Sequence, residues 1–545
     1  MICKRLALVA LSSVAAACSG GAANVPVDNT TTGQDNTGYG MVGTPDADST
    51  TKATEAPVFP EEAFRAQQPK EAAPRPFQLP KMQHFKLQKQ IDVYLVENHD
   101  LPTITAELNF DGGSMTDPRS KVGLASVCMD LLSDGTKKLD KLAFEEALAN
   151  TASTISSYAG RESQGVTLRT LSAHWDETFP LFVDTITTPG FRKDELERVV
   201  NRRNEQLKQT RATVPSVARR LVSNVAFGDR HPFGQLVTEK TLGKIQTRDC
   251  VRYHKSYIKP RGARLFVVGD MTKDQIEKAF APLLAKWKGR GRHVARMPKP
   301  RPRNGRVFFV NIPNAKQSAI LFLHFGPQRD ADDFFANMMM AKILGGGFSS
   351  RINMNLREDK GYAYGAFGGF NYGKSFGLFF AASNVRTTDT VQSVVEIFNE
   401  IEALKSGKEP ATTTELSREK NGAIRGLPGD FGTSQQSLGM YRDLVYYGLP
   451  LDYYNSYAEN LLGVTEKAVA ASAKTHLHPE KLHILVVGDA NAPVIVREDG
   501  KDVPLMKDGK QVTLLDGLRD LLANGTIGKG KLVILDADGH VTKIK

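Results

Sequence analysis

Leu265-Phe-Val-Val-Gly-Asp270 returns late in the chain as Ile484-Leu-Val-Val-Gly-Asp489. Each copy is an apolar run closed by Gly-Asp, the pattern of a short strand buried on both faces. The surroundings of the first copy also recur. Before it, residues 91–99 and 101–110 alternate as strands about a turn at Asn98-His-Asp100, and 154–170 alternates again. Helical periodicity covers 175–187, 192–210 and 215–227, and a helix over 272–287 follows the apolar strand. The Gly/Pro/Arg-rich stretch 288–304 reads as a linker. Two strands over 305–325, a helix over 330–344, Gly-rich strands over 361–383 and helices over 389–405 and 411–424 then lead to the second copy. Two related halves of similar length are the mark of an internal duplication. The expected fold class is α+β: two duplicated domains, 79–297 and 298–490, each a mainly antiparallel sheet with helices on one face. Residues 491–545 read as a small β appendage.

The helix expected at Gly123-Leu-Ala-Ser-Val-Cys-Met-Asp-Leu-Leu-Ser-Asp-Gly-Thr136 carries the chemical question. Positions 126 and 130 share one helix face, the geometry for two metal ligands. A catalytic zinc takes three N, S or carboxylate donors and keeps one position open. Ser126 is a poor donor, Met129 cannot accept a proton from water, and Asp130 supplies a single carboxylate. Cys128 lies on a different face and reads as core. Elsewhere, His476, His478 and His483 cluster in sequence, but Pro479 interrupts any helix through them. A loop running into a strand is expected there. His231 in Asp-Arg-His-Pro-Phe-Gly is expected to be structural.

Of 545 residues, 41% are hydrophobic and 24% charged, which is ordinary for globular protein, and the length allows several cores. The net charge of +11 is dispersed, with no basic stripe interleaved with aromatics. Nucleic acid is therefore not an expected partner. Lys4 and Arg5, the apolar run 6–14 and the small residues before Cys18 read as a signal peptide over 1–17. Cys18 after Ala15-Ala-Ala resembles a bacterial lipobox, so Cys18 is expected to be lipidated and to anchor the chain to a membrane. A soluble product cleaved after Ala17 is the alternative. Ser19 rather than Asp after the cysteine points to the outer membrane of the cell envelope. Residues 18–78 are poor in large apolar side chains and read as a disordered tether. Cys128 and Cys250 remain in the folded part, and the sequence leaves their pairing open.

From about 85 to 490 the chain resembles the pitrilysin/insulinase family of zinc peptidases, in its two-domain bacterial and mitochondrial-processing type. The marks are Val93-Tyr-Leu-Val-Glu-Asn-His-Asp-Leu-Pro102, Gly112-Gly-Ser114, Gly123-Leu-Ala125 and Gly135-Thr136. The most specific is Leu344-Gly-Gly-Gly-Phe-Ser-Ser-Arg-Ile-Asn-Met-Asn-Leu-Arg-Glu-Asp-Lys-Gly-Tyr-Ala-Tyr364. The resemblance implies that Ser126, Met129 and Asp130 stand where active members carry the His, Glu and His of H-x-x-E-H. Glu205 falls near the place of the remaining metal ligand, in an Arg-rich helix where a solvated Glu is the plain reading. Overlaying the halves sets Met338, Ala341 and Lys342 opposite the lost positions.

Some relatives work as heterodimers, in which a subunit without metal contributes an Arg and a Tyr to the bound peptide. Arg357 and Tyr364 match that pair, and both can donate to a carbonyl oxygen or an oxyanion. Gly345, Gly346 and Gly347 are expected to line the peptide path; their plain reading is a helix end and turn. The implied function is a non-catalytic, substrate-binding subunit that holds no metal, paired with a related zinc-bearing subunit. Peptides would bind as an added strand on a sheet edge. The rivals are a scaffold without proteolysis, or a solitary peptidase with a metal site built on Asp130 and Glu205.

Overall fold

A computed structural model describes residues 79–544, apart from 295, 296, 302, 304 and 499. The expected signal, the lipidation at Cys18 and the tether lie outside the described residues. Among those described, no helix is long and apolar enough to cross a membrane.

The first half contributes strands β1 (Met82–Leu87), β2 (Ile91–Glu97), β3 (Thr103–Asp111), β4 (Thr154–Ala159), β5 (Ser163–Leu171) and β6 (Arg264–Gly269). Its helices are α1 (Leu124–Leu132), α2 (Lys141–Ala149), α3 (Trp175–Thr187), α4 (Lys193–Ala212), α5 (Val214–Phe227), α6 (Glu239–Leu242), α7 (Thr247–Tyr257) and α8 (Lys273–Lys286). The second half has β7 (Val307–Asn311), β8 (Gln317–Gly326), β9 (Ala363–Asn371), β10 (Gly377–Arg386) and β11 (His483–Gly488). Its helices are α9 (Phe334–Gly345), α10 (Arg351–Asn353), α11 (Thr390–Ser406), α12 (Thr413–Asp430), α13 (Ser434–Tyr447), α14 (Tyr457–Leu462) and α15 (Glu466–His476). The N-termini of α8 and α12 carry capping boxes, Thr272 with Gln275 and Thr412 with Glu415, which satisfy donors that no helical carbonyl can reach.

The first sheet runs β1-β2-β6-β3-β5-β4, and the second contains the order β7-β11-β8-β10-β9. In both, one parallel pair (β2 with β6, β7 with β11) is followed by three antiparallel pairs. The duplication read from the two apolar strands is therefore a duplication of sheet topology. The 154–170 stretch, expected as one strand, is a hairpin, because Gly160 turns the chain and its N–H donates to the Ser163 carbonyl.

Helices are exchanged between the halves. From the first half, Val217, Leu221 and Val225 of α5 pack on Phe308, Leu323 and Leu485 of the second sheet. From the second, Leu438, Tyr441 and Leu444 of α13 pack on Val96, Phe266 and Val268 of the first. The opposite face of the first sheet is covered by α1, α3 and α8, and that of the second by α9, α11 and α15. With both faces dry, β6 and β11 are buried along almost their whole length, which explains their unbroken apolar runs.

Residues 491–545 are not a separate β appendage. Two small hairpins, β12 (Ile495–Glu498) with β13 (Lys501–Pro504) and β14 (Met506–Lys507) with β15 (Lys510–Gln511), precede helix α16 (Leu514–Ala523). Strand β16 (Leu532–Leu535) then pairs in parallel with β7, and β17 (Val541–Ile544) closes that side. The parallel pairing joins segments far apart in sequence, so no local pattern announces it. Asp538, between these strands, accepts from Arg211 of α4 at 2.9 Å and from Arg220 of α5 at 3.0 Å, fastening the C-terminal hairpin to the first half.

Candidate functional site

Helix α1 starts at Gly123, whose φ of +98° is a left-handed conformation that favours glycine. Asp117 caps the start, accepting from the Gly123 and Ala125 N–H groups at 2.7 and 2.8 Å. Burial pushes its carboxyl up to about 7, against the opposing pull of these donors. The helix lies over the edge strand β4, where the Ser157 hydroxyl donates to the Met129 carbonyl and Ser133 bonds Ser157 at 3.0 Å. A disulfide joins Cys128 to Cys250 of α7, so the pairing left open by the sequence is made, inside the core.

The positions that could hold a metal do not form such a site. The Ser126 hydroxyl donates back to the Gly123 carbonyl at 3.2 Å, and the Met129 side chain is buried in the core. Asp130 is taken by Arg203 of α4, whose Nε and Nη2 reach the same carboxylate oxygen at 3.2 and 2.7 Å. Arg202 approaches that oxygen at 3.7 Å. Glu205 is exposed and pairs with Lys208 at 2.7 Å. Among the described residues no group of three or more His, Cys, Asp or Glu converges as metal ligands. A guanidinium fills the place a cation would take, and the donor set does not fit zinc.

The histidines behave as structural groups. His231 is buried; its Nδ1 accepts from the Phe233 N–H and its Nε2 donates to the Pro298 carbonyl. His476 pairs with Asp333, and His483 donates to the Gly305 carbonyl. In the second half α9 holds the place of α1; Met338 and Ala341 are buried, and the Met338 sulfur receives the Tyr457 hydroxyl at 3.8 Å.

The structure brings Arg357 and Tyr364 together. Arg357 sits on a π-helical turn (Met354–Asp359) that continues α10, a local widening often met at functional sites. Its Nη1 donates to the Tyr364 carbonyl at 3.1 Å. Its guanidinium lies over the Tyr364 ring at 4.8 Å and over Phe348, at the end of the glycine run, at 4.6 Å. A guanidinium has five N–H donors, so this arrangement leaves donors for a ligand. Tyr364 is 87% exposed, and its hydroxyl has no hydrogen-bond partner among the described residues.

The glycines differ in purpose. A Cβ on Gly345 would sit 2.5 Å from the Gly368 nitrogen, so close approach of α9 to β9 explains it. Gly346 is pressed against Lys342, whereas a Cβ on the exposed Gly347 would meet nothing within 4 Å. None of the three has a positive φ. Sterics within the chain therefore require the first two and leave the third open to a ligand.

Phe348 and Asn353 were not singled out by the sequence reading. Asn353 donates to the Phe348 carbonyl at 2.6 Å and accepts from the Ala366 N–H at 2.9 Å, coupling the glycine loop to β9. The outer edge of β9 is thus capped at Tyr364 by Arg357 and at Ala366 by Asn353. Strand β4, the corresponding edge of the first sheet, has no such caps among the described residues.

The segment carrying Arg357 is anchored by Arg351, which pairs with Glu415 at 2.8 Å and donates to the Glu409 and Pro410 carbonyls. Burial raises the Glu415 carboxyl, but the Arg351 and Thr412 bonds outweigh it and hold it down at about 2. The folded value lies below the ordinary 4.5, so this stabilisation is full above that value and is lost as pH falls toward 2. The urea midpoint should therefore fall between pH 5 and 3. Glu415→Gln should flatten that fall; an unchanged slope would remove the assignment.

With this geometry in view, the first half matches the family model for insulinase, peptidase family M16, over residues 92–237, and the second matches the peptidase M16 inactive domain over 244–423. Together the matches span more than half the chain. This chain belongs to the insulinase family, M16. A Helicobacter pylori relative described as "Non-peptidase homolog YmxG" is 24% identical over 74% of this chain and 93% of its own length. The "Zinc protease PqqE" of the same organism is 20% identical over 67% of this chain and 83% of its own. A solved M16 inactive domain from Pseudomonas fluorescens superposes with a TM-score of 0.68 at 23% identity, covering 75% of this chain and 98% of that one. A solved protease from Helicobacter pylori gives 0.68's near neighbour, 0.67, at 18% identity, over 75% of this chain and 100% of that one. The chain is an M16 member that matches both family domains and lacks the H-x-x-E-H motif.

Proposed function

We propose that this chain is the non-catalytic, peptide-binding subunit of a heteromeric zinc-dependent peptidase of the cell envelope. The observation that carries the reading is the Arg357–Tyr364 pair, held together on the π-turn with donors free, in a chain whose own metal frame is closed by Arg203. A related zinc-bearing subunit would supply the metal and the activated water. Arg357 and Tyr364 would donate to the peptide near the bond that is cut. The peptide would lie as an added strand on an unpaired sheet edge, and β4 is the uncapped one. The buried Cys128–Cys250 bridge fits an oxidising compartment outside the cytoplasm, as export and a lipid on Cys18 require.

The test is reconstitution with a related chain that carries H-x-x-E-H. The purified chain alone should hold no stoichiometric zinc and cleave no peptide, whereas the pair should cleave. In the pair, Arg357→Ala and Tyr364→Phe should each lower kcat about 100-fold, the lower end of the range for a lost donor to a developing oxyanion. Unchanged turnover in both variants would remove their role. Chelator-sensitive cleavage by this chain alone would overturn the whole reading.

A further inference from the structure

Cations that the sequence spreads over separate stretches gather in space at the end of the first sheet where β6 begins. The linker starts there, laid against the end of α7 and the turn that follows it. The Arg261 N–H donates to the Gly289 carbonyl at 3.1 Å, the Gly291 N–H to the Arg261 carbonyl at 3.4 Å, and the Arg292 N–H to the Ser256 carbonyl at 2.7 Å. Lys255, Arg261, Lys288, Arg290 and Arg292 are exposed on these segments, and Lys259 is half-buried. Lys137 joins them from the α1–α2 loop, where its N–H donates to the Thr188 carbonyl at 2.8 Å. Two residues before Thr188, the Ile186 carbonyl accepts from His254 of α7 at 2.6 Å. His254 feels the gathered charge. Burial, against the pull of the Ile186 bond, and then the charges of Lys259, Lys255 and Lys137 hold its pKa below the ordinary range.

No carboxylate of the same elements offsets these cations. Asp249 of α7 is taken by Lys121, Asp184 of α3 by Lys138 and Asp134 of the α1–α2 loop by Lys141. Asp140 caps α2, and Asp92, bonded through its N–H to the turn before β6, is taken by Lys86. From Lys278 to Arg329 the chain has no acidic residue. None of the gathered cations makes an ion pair among the described residues.

The surface also lacks what other anionic partners need. No large hydrophobic side chain is exposed on residues 251–263 or 286–294, and Tyr253 and Trp287 are buried. A protein partner would want an apolar centre inside a polar rim. A single-stranded nucleic acid would want exposed rings to stack on. The headgroups of an anionic bilayer need only positive charge spread over a surface.

We propose that this basic end of the first half, built on Lys255, Lys259, Arg261, Lys288, Arg290 and Arg292, rests on a bilayer surface of anionic phospholipid. The contact is at the level of the phosphates, with no side chain inserted, and it acts within a Debye length. It depends neither on the peptide-binding reading nor on a lipid at Cys18.

The test uses the purified full chain carrying Cys18→Ser, so that no acyl chain contributes. Cosedimentation compares vesicles of phosphatidylcholine with vesicles containing about 30 mol% phosphatidylglycerol. The protein should prefer the anionic vesicles at about 50 mM NaCl and lose that preference at about 500 mM, where screening acts within a few ångströms. The double variants Arg290→Gln/Arg292→Gln and Lys255→Gln/Lys259→Gln should each weaken binding about 25-fold, at roughly fivefold per cation near the surface. The charge-matched control Lys408→Gln/Lys501→Gln, altered at exposed positions elsewhere, should bind as wild type does. Equal loss in the control would show that net charge and not this surface is read, and would overturn the proposal. So would equal binding to both kinds of vesicle. Poly-glutamate and duplex DNA are the soluble polyanions for comparison. If either binds in a way the two variants abolish while vesicles are ignored, the partner is not a bilayer and the proposal fails. Unchanged melting temperatures are expected in all variants, because the linker is held by backbone bonds that these substitutions leave in place.

Discussion

Removing the Cys128–Cys250 bridge should lower stability by about 5 kcal/mol. The cysteines are 122 residues apart, and closing a loop of that length restricts the unfolded chain by this amount in the loop-entropy model. Both side chains are in the core of the first half, tying α1 to α7. The double variant Cys128→Ala/Cys250→Ala, compared with wild type in urea with and without reductant, measures the effect. Reductant should shift the wild-type midpoint toward that of the variant and leave the variant unmoved. A wild type indifferent to reductant after full unfolding would show that the bridge is not made. Helix α1 is fixed by sulfur to α7, by Asp130 to α4 and by Ser157 to β4.

The second large effect lies between the halves. Glu107 of β3 is 1% exposed and accepts from Arg442 of α13 at 3.1 Å and from the Tyr158 hydroxyl at 2.7 Å. Burial, with Glu107 beside it, keeps the Tyr158 phenol protonated and able to donate. Arg442→Ala would leave a buried carboxylate without its counter-charge, a loss of about 3–5 kcal/mol. Adding Glu107→Gln should recover most of it, since the amide carries no charge to strand. If the double variant were as unstable as the single one, the loss would come from packing of the arginine stem and not from the charge.

Much of the first sheet could be read from local signals. The strands around Ile91 and Leu265, and the helices near Trp175, Lys193 and Val214, follow period-2 and period-3.6 patterns with ordinary boundaries. The duplication was legible because two buried strands repeat nearly letter for letter. The exchange of α5 and α13 was not, because amphipathicity reports that a helix has a partner but not which sheet it is. Residues 434–447 carry no clear helical stripe, since Gln, Gly, Tyr and Arg interrupt the apolar positions with groups whose use lies across the domain boundary, Arg442 above all. The site divides in the same way. Ser126, Met129 and Asp130 announced the missing donors by their chemistry alone. That Arg203 occupies the gap is a contact between two helices, and an Arg-rich stretch reads from sequence as a solvated face.

The reciprocal roofing by α5 and α13 also orders how the protein can be made. While Tyr447 has yet to emerge from the ribosome, the first sheet has a bare apolar face and α5 has little to lie on. Neither half can finish alone, so a stalled or clipped product would be sticky on both sheets. Cutting the gene at the linker should yield two insoluble fragments rather than two small domains, and co-expression of the pieces is the route by which they could complete each other.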